Sequence, residues 1–134
     1  MSPDGALTPA QYEILEAVWE AGTDGMTVAE IWQQVTERRQ VARTTVLNLV
    51  DRLEKRGWLK RRSVEGVNRF TAAVSRDRTH ASLAGDFVDD FFGGSASHLV
   101  MSLLGTGRLS QEEVRQLRTL LDSKRDPGRK EGTR

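Results

Sequence analysis

The chain has no cysteine. That excludes disulfides, thiolate metal sites, iron–sulfur clusters and thiol redox sensing. It has no apolar run approaching the roughly 18 residues that a membrane span requires. The N-terminal Met1-Ser2-Pro3-Asp4-Gly5 carries neither a basic stretch nor an apolar one, so no secretory signal is expected and a cytoplasmic protein is the default expectation. Histidine is scarce too. His80 and His98 are isolated, in no spacing that suggests zinc, and both are expected at the surface or at an interface. No metal or other cofactor is expected.

The most informative absence is of positive charge. Residues 1–37 contain no Lys or Arg, against Asp4, Glu13, Glu16, Glu20, Asp24, Glu30 and Glu37. Residues 38–78 then hold 12 Lys+Arg against Asp51, Glu54, Glu65 and Asp77. The formal net charge of +1 therefore hides a block of −7 followed by one of +8. A basic block that also carries apolar periodicity is usually a folded surface facing a polyanion, most often nucleic acid. The acidic helices are expected behind and beside that face, keeping DNA off the back of the domain. A chain of 134 residues fits one compact domain, or a small one with an appendage, and its modest core makes oligomerisation a natural source of stability.

Capping signals place the elements. Thr8-Pro9-Ala10-Gln11 opens a first helix with a capping box and proline at the first helical position; Leu7 and Tyr12 form its staple. Tyr12, Leu15, Val18 and Trp19 share its apolar face, with Ile14 beside it, and Gly22 and Gly25 end it. Thr27 and Glu30 repeat the box for a second helix with Ile31, Trp32 and Val35. A third runs from about Arg43 to Arg56, stops at Gly57, and buries Val46, Leu49, Val50 and Leu53. The period then changes. Trp58–Ser63 and Val67–Thr71 around Val64-Glu65-Gly66 predict a β-hairpin. Ser75 caps a helix to about Phe92, Gly93-Gly94 breaks it, and Ser95–Leu104 forms another. Ser110-Gln111-Glu112-Glu113 is a third capping box, and the chain from Asp126 has the composition of a disordered tail.

Three helices followed by a hairpin is the order of a winged helix-turn-helix, mainly α with a small β-hairpin wing. Its second motif helix enters the major groove. That helix is the third here. Thr44, Thr45 and Asn48 are short polar groups suited to base edges. Arg43 and Arg52 on the helix, with Lys60, Arg61, Arg62 and Arg69 on the wing strands, are the expected phosphate contacts. The bland alternative is an amphipathic helix with a solvated face, which Asp51 favours and the basic block opposes. Sequence-specific duplex DNA binding is thus the leading expectation. A winged-helix interaction module docking an acidic protein partner is the alternative, and it predicts no operator-length footprint. An enzyme is not expected: there is no phosphate loop, metal cluster or plausible triad.

These strings resemble a known family. Leu7-Thr8-Pro9-Ala10-Gln11-Tyr12-Glu13-Ile14-Leu15, Thr44-Thr45-Val46-Leu47, and Arg52-Leu53-Glu54-Lys55-Arg56-Gly57-Trp58-Leu59 look like the BlaI/MecI/CopY repressors of bacteria. Phe92-Gly93-Gly94-Ser95 and Leu109-Ser110-Gln111-Glu112-Glu113 look like their C-terminal region, so the resemblance covers residues 6–124. It implies a homodimeric transcriptional repressor on an inverted-repeat operator, held together by its C-terminal helices. In the β-lactamase branch it also implies a membrane sensor protease as partner, whose signal leads to a cut at an Asn-Phe bond shortly after the Gly-Gly. The matching position here is Ser102-Leu103, a departure from that pair. The copper branch uses a cysteine motif that this chain lacks. Arg43 stands where the family often has an aromatic.

The dimer has support in the residues themselves. The helices over residues 75–124 carry too few large apolar side chains for a core of their own, so a second copy is expected to bury Leu83, Phe87, Phe91, Leu99, Val100, Leu103, Val114, Leu117 and Leu121. Folding back on the winged helix as a monomer is the alternative. The expected organisation is a winged-helix DNA-binding domain over 6–74, a helical dimerisation region over 75–125 and a disordered tail over 126–134. Asp86, Asp89 and Asp90 read as a solvated helix face rather than a cation site. Gly93-Gly94-Ser95 reads as a helix break, and the three tryptophans as core residues.

Overall fold

Thr8 and Thr27 each accept a hydrogen bond from the backbone N–H three residues on, and Gln11 and Glu30 accept one from the Thr8 and Thr27 N–H in return. These two boxes start α1 (Pro9–Ala21) and α2 (Val28–Thr36) in the computed structural model, which describes the backbone of residues 6–132 and the side chains of residues 6–123. A single 3-10 turn, Gly22–Asp24, links them. Helix α3 (Arg43–Lys55) follows, then strands β1 (Leu59–Val64) and β2 (Val67–Ala72), and helices α4 (Arg76–Phe91), α5 (Ala96–Gly105) and α6 (Gln111–Gly132). Ser75, Ser95 and Ser110 accept from the N–H groups of Arg78, His98 and Glu113, as their positions in the sequence predict. Residues 1–5, where no signal segment is expected, and the last two residues of the expected tail lie outside the described residues. The helix α6 backbone continues past Asp126 to Gly132 instead of ending where the composition changes. Extending an existing helix needs no new nucleus, although Pro127 and Gly128 within this stretch are poor helix formers.

The chain divides into two units, residues 1–86 and 87–134. In the first, Ile14, Leu15 and Val18 of α1, Ile31 and Val35 of α2, and Val46, Val50 and Leu53 of α3 form one core, which Met26, Trp58, Leu59 and Phe70 complete. The buried face of α1 is turned from the expected one. Gln11 and Ala17 lie on it, whereas Tyr12 and Trp19 are only half-buried. Gln11 can be buried because its amide oxygen accepts from both the Thr8 N–H and the Arg56 guanidinium. Tyr12 and Trp19 face α4 instead. Tyr12 Oη and His80 Nε2 share a hydrogen bond of 2.5 Å, their rings stack, and the Trp19 indole donates to the Val74 carbonyl.

Both ends of α3 are fixed. The Trp32 indole N–H donates to Val41 O at 2.8 Å and so ties α2 to the turn before α3. At the other end Trp58 N–H reaches Leu53 O and Gly57 N–H reaches Glu54 O, a Schellman closure with Gly57 at φ 89°. The hairpin pairs Val64 with Val67 across Glu65-Gly66, whose φ values of 53° and 80° make a type I′ turn. The β2 strand is also paired from behind, by a two-way backbone bridge between Met26 and Phe70. Gly25 permits it: a Cβ there would meet Phe70 O at 2.8 Å.

In the second unit Val88 alone among the described residues counts as buried. Phe87 packs its ring against Phe91 and Phe92, and Phe92 lies edge-on to His98.

Leu53 is fully buried at the point where α3 meets α1 and the wing. Leu53→Ala is expected to cost about 2–5 kcal/mol. Urea unfolding checks this as a lower midpoint at unchanged slope.

Candidate nucleic-acid interface

Burial of Val46, Val50 and Leu53 sets the rotation of α3 about its own axis. At about 100° per residue, the opposite face carries Thr44, Leu47, Asn48 and Lys55, with Thr45 and Arg52 alongside, and all six are exposed. The three predicted base-reading residues, Thr44, Thr45 and Asn48, therefore share the outward side of one helix. Asp51, the one carboxylate there, is held by Lys55 at 3.1 Å, which lessens its repulsion of phosphate. The helix begins at Arg43 with no side-chain cap from Ala42, so its first N–H groups are open to an anionic oxygen. Leu47 is an exposed large apolar side chain in the midst of this face.

The six predicted phosphate contacts fall into two groups. Arg43, Arg52 and Lys60 are exposed and form no ion pair among the described residues. Arg61, Arg62 and Arg69 are engaged. Arg61 grips both Glu54 carboxylate oxygens at 2.6 and 3.0 Å, and that hydrogen bonding, with the carboxylate charge, raises its pKa above the ordinary guanidinium value. Arg62 reaches the Thr23 and Asp24 carbonyls. Arg69 donates to Asp24 O at 2.9 Å, Gly25 O at 3.1 Å and Glu30 Oε1 at 3.3 Å. These three side chains fasten the hairpin to α3 and to the α1–α2 turn. The tip itself presents Val64 and Val67 around Glu65, and no cation.

The acidic helices are partly paired. Arg39 binds Glu13 through two hydrogen bonds, Arg38 lies 3.6 Å from Glu16, and Gln34 donates to Glu20. The chain turns back after α2, so the first two cations of the basic block land on the acids of α1. Both pairs are solvent-exposed and add little stability, but they level the local potential.

Of the predicted dimerisation residues, Leu83 lies in the first unit and is half-buried. Leu99, Leu103 and Val114 are half-buried in the second. Phe87, Phe91, Val100, Leu117 and Leu121 are exposed, as are Met101, Leu104 and Leu120, which are not among the predicted dimerisation residues. Phe91 is 73% exposed. Ser102 and Leu103 sit within α5, and the Ser102 hydroxyl donates to the His98 carbonyl. A protease acting there would first have to open that turn of helix. No helix of the described residues is long and apolar enough to cross a membrane, and no group of three or more acidic or histidine side chains there is placed to hold a metal.

Residues 7–123 match the model of a family described as the penicillinase repressor. The chain is 22% identical to the penicillinase repressor of Staphylococcus aureus, over 87% of this chain and 90% of that protein. It is 21% identical to the methicillin resistance regulatory protein MecI of Mammaliicoccus sciuri, over 88% and 94%. Among solved structures, a point mutant of S. aureus MepR superposes with a TM-score of 0.52 at 18% identity, covering 90% of this chain and 80% of that one. A second MepR point mutant, bound to an oligodeoxyribonucleotide, gives 0.51 at 18%, over 90% and 79%.

The two groups of cations should respond differently to substitution. On random-sequence duplex, Arg52→Ala is expected to flatten the dependence of log affinity on log salt by about one. Glu54→Gln, which frees Arg61, should steepen it by about as much and raise affinity. Fluorescence-anisotropy titrations at several salt concentrations measure both; equal slopes for wild type and Glu54→Gln would mean that Glu54 does not hold the Arg61 charge.

Proposed function

The chain belongs to the penicillinase repressor family, and we propose that it represses transcription by binding an inverted-repeat operator as a homodimer. One observation carries the DNA-binding part. Burial of the Val46, Val50 and Leu53 stripe turns Thr44, Thr45 and Asn48 outward together, within reach of the unpaired Arg43, Arg52 and Lys60. Short polar groups that can read base edges, flanked by cations that can hold phosphates, are what a recognition helix needs. Asn48 reads a base, with Thr44 and Thr45 beside it. Arg43, Arg52 and Lys60 hold the backbone in register, while Arg61, Arg62 and Arg69 reach it only by exchanging their present partners for phosphate. Binding and release of DNA require no catalytic step.

The homodimer is supported by what the second unit leaves in water. Eight of its large apolar side chains are exposed in the single chain: Phe87, Phe91, Val100, Met101, Leu104, Leu117, Leu120 and Leu121. Single exposed apolar residues are ordinary, but this many on three helices are the mark of an interface. A second copy offers matching surface, and two-fold symmetry suits two recognition helices to a palindromic site. The protein acts in the compartment that holds the DNA, the cytoplasm. Release by a sensor protease acting at Ser102-Leu103 would require α5 to open first.

Asn48→Ala is expected to lose discrimination, binding operator about 5- to 100-fold more weakly per half-site while its affinity for random duplex holds. Footprinting and titration on the DNA upstream of its own gene check this, and equal losses on both duplexes would remove Asn48 from base reading. Phe91→Glu should convert the protein to monomer in sedimentation equilibrium and cost operator affinity, with the urea midpoint of the winged helix unmoved.

A further inference from the structure

Among the described residues of the first unit, three large apolar side chains stand exposed: Leu47, Val64 and Val67. Val64 and Val67 are partners across the wing turn. Leu47 is 49% exposed on α3. An exposed leucine means little by itself. Its neighbours give it meaning. Residues three and four apart adjoin on a helix, so Leu47 sits between Arg43 and Thr44 on one side and Asp51 on the other, with Asn48 next along the chain. These positions belong to the first half of α3, the part of a recognition helix that meets base edges. Arg43, Arg52 and Lys60 around this face carry no ion pair among the described residues, so the surface suits a polyanion better than an apolar protein partner. In the major groove one base edge carries an apolar group, the 5-methyl of thymine.

We infer that Leu47 is a specificity-determining residue that packs against the 5-methyl group of a thymine in each operator half-site, adjoining the base read by Asn48. This rests on the operator-binding reading above. It adds shape and hydrophobic discrimination to a face otherwise equipped for hydrogen bonds: cytosine, which lacks the methyl, and uracil, which differs from thymine only there, should both be disfavoured at that position.

Wild type and Leu47→Ala are each used to select duplexes from one pool of random DNA about 30 base pairs long, enough for two half-sites. The wild-type consensus is then resynthesised with each thymine in turn replaced by uracil, which deletes the methyl alone. The expected result is one symmetric thymine whose replacement weakens wild-type binding about four-fold per half-site, as burial of one carbon predicts. Leu47→Ala should be indifferent to that replacement and lose the thymine from its consensus, keeping the other positions. The uracil series on wild type does not depend on how the variant folds. A wild type that selects a palindrome yet responds alike to uracil at every thymine overturns the inference and leaves operator binding standing, as does a Leu47→Ala protein with the wild-type uracil response. Failure of wild type to select any sequence overturns both.

Discussion

The rotation of one helix about its own axis decides what this protein shows to its surroundings. Val46, Val50 and Leu53 are sealed against α1 and α2, and turning α3 by a single residue, about 100°, would carry polar side chains into that core. The stripe thus permits one outward face. Two local devices hold its ends: the Trp32 indole on the Val41 carbonyl before α3, and the backbone closure through Gly57 to Trp58 after it. Neither contributes a group to the outer surface. Both remove freedoms that would blur it, because a hydrogen bond to a base edge tolerates little error in position. The wing is fastened by the same logic, from α3 by Glu54 and from the α1–α2 turn by carbonyl oxygens that accept from Arg62 and Arg69.

Charge is where linear sequence and folded surface part company. Along the chain the first 37 residues are purely acidic and the next 41 strongly basic. In space the blocks interleave. Arg38 and Arg39 return to Glu16 and Glu13, Arg69 to Glu30, and Arg61 to Glu54. A block sum cannot anticipate this, since which charges meet depends on where the chain reverses. Arg43, Arg52 and Lys60, cations of that block with no ion pair among the described residues, all belong to α3 or the strand that follows it. A field concentrated at one edge orients a docking duplex more sharply than the same charge spread over a domain.

The legible parts of the fold were those written in local chemistry. Capping residues at Thr8, Thr27, Ser75, Ser95 and Ser110 and the stop at Gly57 act within a few residues, so their positions mark element boundaries directly. The stripe of α3 was legible for the same reason, and with it the outward side that carries Thr44, Thr45 and Asn48. The rest depends on partners distant in sequence. Tyr12 and Trp19 read as core by hydrophobicity, yet α4 claims them through His80 and the stretch before it through Val74. Gln11 reads as a capping residue and is also buried, with Arg56, 45 residues later, donating to its amide oxygen. Arg69 reads as a phosphate ligand and is found as a strap. Leu47 was visible as an apolar residue beside the reading face, but only the folded surface shows it uncovered.

The second unit raises the opposite problem, a segment with clear helices and no core. Its helices begin at good caps, but one as short as α5, of 10 residues, is marginal in water without an apolar face to bury. Within the unit the phenylalanines near Gly93-Gly94 touch one another, Val88 is buried, and Leu99, Leu103 and Val114 are half-buried. A monomer would hold its helices at the expense of leaving Phe91, Met101, Leu104 and Leu121 in water. Association with a second copy removes that cost and links two reading heads in one step. In the proposed dimer, folding of this half and pairing of the operator-binding halves would be a single equilibrium. On that reading, an agent that opens these helices, whether a bound molecule or a cut near Ser102, would act on DNA affinity without touching α3.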